Sequence, residues 1–205
     1  MEQAQLDARD LLTVCERVYD TAVIVAGTEG RDGASVLDLV DCCVLAFRGT
    51  LTEGLASVAD WYNDFHADFV SDPRFPGRVH AGFLESFDNL LPAIKDKIDL
   101  KSHKQLYITG HSKGGALAFL AAHLFADLAP FCVTFAAPRV GDYHFATDYR
   151  PLTIRFESPK DLVPRLPPIR YYSCGTQITA PASFNPPEGI RENHSLGTGY
   201  RPWVM

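Results

Sequence analysis

The stretch Leu106-Tyr107-Ile108-Thr109-Gly110-His111-Ser112-Lys113-Gly114-Gly115-Ala116-Leu117-Ala118-Phe119 decides the fold. Gln105 to Thr109 is a short β-type run, and from Gly114 onward the chain is rich in the helix formers Ala and Leu. Only the five residues Gly110 to Gly114 separate the two. A strand that turns into a helix through Gly-x-Ser-x-Gly holds its serine in a strained backbone conformation, and a side chain at either glycine would clash with the turn. The Ser112 oxygen then stands over the helix N-terminus, where free N–H groups and the helix dipole favour a developing negative charge. In this context the pattern predicts a nucleophilic serine. The plainer alternative is a tight strand-to-helix turn closed by a capping serine.

The chain of 205 residues can bury a substantial core, and no repeat, low-complexity tract or linker divides it, so a single domain over residues 1–205 is expected. A hydrophobic share of 46% fits a globular protein, and no apolar run approaches the ~20 residues that span a bilayer. A net charge of −6 with scattered basic residues argues against a nucleic-acid partner and gives no polybasic membrane anchor. Met1-Glu2-Gln3-Ala4-Gln5 is polar and carries an acid, unlike a secretory leader. The five cysteines (Cys15, Cys42, Cys43, Cys132, Cys174) are odd in number, and all but Cys174 lie in apolar segments, which reads as reduced thiols. Both features place the protein in the cytoplasm. No pair of Cys-x-x-Cys units and no His-Glu-x-x-His occurs, so neither a metal nor another cofactor is expected.

Helical spacing of Leu11, Leu12, Cys15, Val18 and Tyr19 predicts a packing helix over Leu6 to Tyr19. Thr21 to Ala26 reads as a strand, and Ser35 to Val40 with Cys42 to Phe47 as an antiparallel pair turning at Asp41. A helix is expected from Ser57 or Asp60 to Phe69, and a longer one from Ala81 to Asp99, bent at Pro92. After the elbow helix, Lys113 to Leu128, come strand Phe131 to Phe135, a short helix near Asp142 to Ala146 and strand Leu152 to Phe156. Tyr171 to Ile178 reads as a hairpin about Gly175. Strands alternating with helices imply an α/β fold, a mostly parallel central sheet with helices on both faces.

A serine hydroxyl needs a positioned base, and the base an orienting acid; on an elbow of this kind they follow in the order Ser, Asp or Glu, His. The acid candidates are Asp142, Asp148, Glu157 and Asp161. Asp161 stands directly after the Leu152 strand in a proline-stiffened loop, at the sheet edge that delivers functional groups, and position favours it. Asp142 is more simply a helix cap. His194 is the only histidine beyond the acids, whereas His123 lies along the elbow helix and His144 on a short surface helix. One oxyanion donor is the backbone N–H of Lys113; the second is expected from Thr50, at the end of the Cys42 strand. His80 and His111 are read as hydrogen-bonding supports, Arg139 and Arg165 as partners of acids, and Trp61 and Trp203 as core residues.

Seven ordered blocks resemble the class 3 lipases, the fungal-lipase-like branch of the α/β hydrolases. They are Phe47-Arg48-Gly49-Thr50, Asp60-Trp61-Tyr62-Asn63-Asp64, Val79-His80-Ala81-Gly82-Phe83, the elbow itself, Phe135-Ala136-Ala137-Pro138-Arg139-Val140-Gly141-Asp142, Asp161-Leu162-Val163-Pro164-Arg165-Leu166-Pro167 and Asn193-His194-Ser195-Leu196. The resemblance implies a compact α/β-hydrolase fold, Ser112, Asp161 and His194 as a triad, Thr50 and Lys113 as the oxyanion hole, and Leu51 to Ala59 in the lid position. It implies hydrolysis of acylglycerol or other lipid esters, with a lipid or small ester as partner and room for transient contact with a lipid interface. Leu51 to Ala59 has few large apolar groups, which predicts weak interfacial activation. Lys113 stands where the secreted fungal enzymes usually carry leucine, and its charge either favours an anionic substrate or points outward. Phospholipase A1 or lysophospholipase activity is the runner-up, and a catalytically silent binding module the rival from another class.

Overall fold

The computed structural model describes residues 6–20, 26–27, 32–50, 68–98 and 104–204. The lid segment Leu51 to Ala59, the Asp60 to Asp64 block with Trp61, and most of the strand expected at Thr21 to Ala26 lie outside the described residues.

The described strands are β1 (Ala26–Gly27), β2 (Gly33–Asp38), β3 (Cys42–Arg48), β4 (Phe69–Ser71), β5 (Arg78–His80), β6 (Gln105–His111), β7 (Phe131–Phe135), β8 (Leu152–Glu157) and β9 (Thr176–Thr179). The helices are α1 (Ala8–Arg17), α2 (Ala81–Lys97), α3 (Lys113–Leu124), α4 (Tyr143–Asp148) and α5 (Ile190–His194). Seven strands form one sheet in the order β1-β2-β3-β6-β7-β8-β9. It is antiparallel through β1, β2 and β3 and parallel from β3 to β9.

Side chains alternate between the two faces of this sheet, as the pleat requires. Leu45 and Phe47 of β3, Leu106 and Ile108 of β6 and Cys132 of β7 join the core under α2 and α3. Val44, Tyr107, Val133 and Phe135 face the opposite way, where α1 and the C-terminal Leu196, Tyr200, Trp203 and Val204 cover them. The central strands are thus buried on both sides, the arrangement of an α/β hydrolase. An aspartate fixes the start of α1: Asp7 accepts from the N–H groups of Arg9 and Asp10, and Asp10 accepts in return from the Asp7 N–H.

Three expectations change. Phe69 does not end a helix; it opens β4, which pairs with β5. The elbow helix stops at Leu124 and continues only as a 3-10 turn over Ala126–Leu128. The segment around Gly175 makes no hairpin; its second half, β9, lies parallel to β8 at the sheet edge.

Candidate active site

The sheet's carboxyl edge gathers the sequence-singled residues. β6 ends at His111, and Ser112 follows with φ 57° and ψ −130°, a left-handed conformation costly for a residue with a Cβ. The turn closes because β6 and α3 almost touch: a Cβ on Gly110 would lie 2.2 Å from the Gly114 carbonyl oxygen. The strain aims Ser112 Oγ at His194, whose Nε2 lies 2.8 Å away. His194 closes α5, and its Nδ1 lies 2.9 Å from Asp161 Oδ2. Asp161 can only accept as a carboxylate, so Nδ1 carries the proton and Nε2 is left to accept from the Ser112 hydroxyl. Ser112, His194 and Asp161 form one continuous hydrogen-bonded line.

Two further donors hold Asp161. The Val163 N–H donates to Oδ1 at 3.0 Å, and the buried Tyr200 hydroxyl donates to Oδ2 at 2.6 Å. The same Tyr200 oxygen accepts from the Ser158 N–H at 3.2 Å. Burial first, then the Asp161 charge, pushes the Tyr200 phenol well above its usual range, so it stays a donor.

Behind the histidine lies a second line. His111 Nε2 sits 2.8 Å from the His194 backbone carbonyl, and its Nδ1 2.6 Å from the Tyr19 hydroxyl. A carbonyl only accepts, so Nε2–H donates to it and Nδ1 accepts from Tyr19. Burial, and secondarily His194, pulls His111 down to about 3, which keeps the ring neutral in that tautomer. Thus the turn after α1 braces the end of α5, where His194 sits.

The loop after β3 runs against the elbow. A Cβ on Gly49 would lie 2.8 Å from the His111 carbonyl oxygen and 3.1 Å from Ser112 Cβ. Half-buried Thr50 follows directly. The Lys113 ammonium neither points outward nor stands free: it bonds to Asp32 Oδ1 at 2.6 Å.

The other acid candidates serve elsewhere. Asp142 caps α4 through the Phe145 N–H and pairs with Arg78 at 2.9 Å. Asp148 faces Arg150 at 3.5 Å on the surface, and Glu157 pairs with Arg155 within β8. His80 caps α2, with Nδ1 accepting from the Gly82 and Phe83 N–H groups. Arg139 and Arg165 bind no carboxylate among the described residues; they reach the carbonyls of Pro167 and Pro168 and of Pro159. Trp203 is buried in the core. Sequence reading missed Tyr200, Tyr19 and Asp32, since each acts on a residue far away in the chain.

The mostly parallel sheet, covered by helices, with Ser112 on a strand-to-helix elbow, is the fold of an α/β hydrolase. Residues 44–171 match the family model Lipase (class 3), and the chain belongs to that family. It is 31% identical over 177 residues to Secreted mono- and diacylglycerol lipase 1 of Fusarium solani, covering 79% of this chain and 51% of the relative. It is 30% identical over 200 residues to Phospholipase A1-II 1 of Oryza sativa, covering 80% of this chain and 48% of the relative. The chain therefore spans about half the length of these relatives. The Rhizomucor miehei lipase in its propeptide complex superposes with TM-score 0.65 at 25% identity, over 83% of this chain and 66% of the other.

One expectation is corrected by these relatives. Similarity to a lipase named as secreted points to an extracellular protein, not the cytoplasm. The cysteines do not contradict this. All five are free, yet Cys15, Cys42, Cys132 and Cys174 are buried, and burial pushes the Cys15 and Cys174 thiols up to about 12. Thiols that do not ionise resist oxidation, so an odd count of buried cysteines does not require a reducing compartment. No helix among the described residues is long and apolar enough to cross a membrane.

Proposed function

We propose that this protein is a serine carboxylic-ester hydrolase acting on lipid esters through an acyl-enzyme. The observation that carries the reading is the unbroken Ser112–His194–Asp161 line on a strained elbow. His194 Nε2 takes the Ser112 proton as Oγ attacks the ester carbonyl. The Lys113 and Thr50 backbone N–H groups hold the oxyanion, in the field of the α3 N-terminus. His194 then gives its proton to the departing alcohol, and a water activated by the same nitrogen releases the acid. Asp161 fixes the imidazole's tautomer and offsets its charge while it is protonated.

Acylglycerols are the favoured substrates, in keeping with the name of the Fusarium solani relative. The rice relative supports a phospholipase A1 reading, but the Lys113 charge that would select an anionic head group is engaged by Asp32. The test is hydrolysis of short p-nitrophenyl esters by wild type and Ser112→Ala, with circular dichroism to confirm folding. Turnover should vanish in a folded variant. Hydrolysis at the wild-type rate would remove Ser112 from the chemistry, and a silent wild type would favour a binding module.

A further inference from the structure

Asp32 immediately precedes β2, and the β2–β3 register, with Gly33 opposite Arg48, brings it level with Gly49. Its carboxylate holds the ammonium of Lys113, the residue after Ser112, at 2.6 Å. The pair therefore spans from the Gly49–Thr50 loop to the elbow, the two segments assigned to the oxyanion amides. Both side chains are mostly buried, at 20% exposed for Lys113 and 10% for Asp32, so solvent screens the pair less than a surface one. An unpaired ammonium here would add to the positive end of α3 and draw negative charge toward Ser112. Paired with Asp32, it presents a dipole instead of a net charge.

We propose that Asp32 is a specificity-determining residue: by engaging Lys113 it removes a free cation from beside Ser112 and so favours esters with uncharged head groups over phospholipids of net negative charge. This deepens the ester-hydrolase reading and rests on it. An anionic head group entering such a site loses hydration and finds the Lys113 ammonium already engaged, whereas a glycerol hydroxyl loses little. Selectivity between the two is then set by whether Lys113 is engaged.

The test measures kcat/KM for dioctanoylglycerol and for dioctanoyl phosphatidylglycerol, each in uncharged detergent micelles, with wild type, Asp32→Asn and Lys113→Gln. Wild type should prefer the diacylglycerol. Asp32→Asn frees one cation near the site and should raise the anionic-to-neutral ratio about five- to tenfold. High salt should shrink that gain. Lys113→Gln leaves the carboxylate alone and should lower the ratio, which keeps the test decisive even if Asp32→Asn fails to fold. A purely structural pair would change both rates together and leave the ratio alone, and an unmoved ratio in the folded variants overturns the proposal. So does a wild type that prefers phosphatidylglycerol. A wild type that cleaves neither lipid nor p-nitrophenyl esters removes the ester-hydrolase reading itself, a separate and recognisable failure.

Discussion

Replacing Tyr200 by phenylalanine deletes one oxygen from the site and leaves the packing in place. The ring is fully buried, with Trp203 5.7 Å and Phe135 6.5 Å away between centroids, and a phenyl group fills the same space. Two hydrogen bonds go with the oxygen. The 2.6 Å bond to Asp161 involves a charged acceptor, a class worth about 1.5–3 kcal/mol. The Ser158 N–H loses its acceptor, but that bond is long at 3.2 Å and contributes at the low end, about 1 kcal/mol. The variant should therefore lose about 2–4 kcal/mol of stability at neutral pH. Asp161 keeps the Val163 N–H and His194 as partners, but the oxygen that orients the imidazole is less firmly held. We expect kcat to fall about tenfold with KM nearly unchanged, since Tyr200 lies behind the acid, away from substrate. Urea denaturation and steady-state hydrolysis of p-nitrophenyl butyrate read the two effects. Stability within about 0.5 kcal/mol of wild type and an unaltered kcat would refute the reasoning.

Asp161→Asn should reduce kcat by about 10⁴-fold while the protein stays folded, because the amide favours the wrong imidazole tautomer. Asp142→Ala, which removes a helix cap and the Arg78 partner, should lower the melting temperature and leave turnover per folded molecule intact; the opposite pattern would exchange their roles. Gly110→Ala sets a Cβ against the Gly114 carbonyl and should cost at least about 2 kcal/mol with loss of activity, so a wild-type melting curve would contradict the elbow geometry. Burial holds His111 near 3 and His80 near 4, against an ordinary 6.5. The unfolded imidazoles take up protons below pH 6.5 that the folded ones refuse, so stability present above that pH is lost on acidification. The loss is about 2 kcal/mol per histidine by pH 5. His111→Asn and His80→Asn should each flatten this slope in urea titrations, and an unchanged slope in both rules out the assignment.

What the chain discloses in one dimension is local. The elbow is legible because strand, turn glycines, serine and helix are contiguous, and the order of Ser112, Asp161 and His194 follows from which loops succeed which strands. Tyr200 carries no such signal. Its hydroxyl matters only because a π turn over Leu196–Tyr200 folds back onto the Asp161 loop. Tyr19 and Asp32 meet residues 92 and 81 positions away, contacts that only the folded sheet creates. The hairpin expected at Gly175 fails for a related reason. Every residue of β9 is exposed, so no hydrophobic alternation marks it, and main-chain pairing to β8 alone defines the strand.

Mass spectrometry of the protein after exposure to a fluorophosphonate, followed by peptide mapping, tests the central claim most directly. One adduct per chain is expected, on the Ser112 oxygen, formed quickly in wild type and absent from folded Ser112→Ala. An adduct on another residue, or an unreactive wild type, would contradict a nucleophilic Ser112 activated by His194.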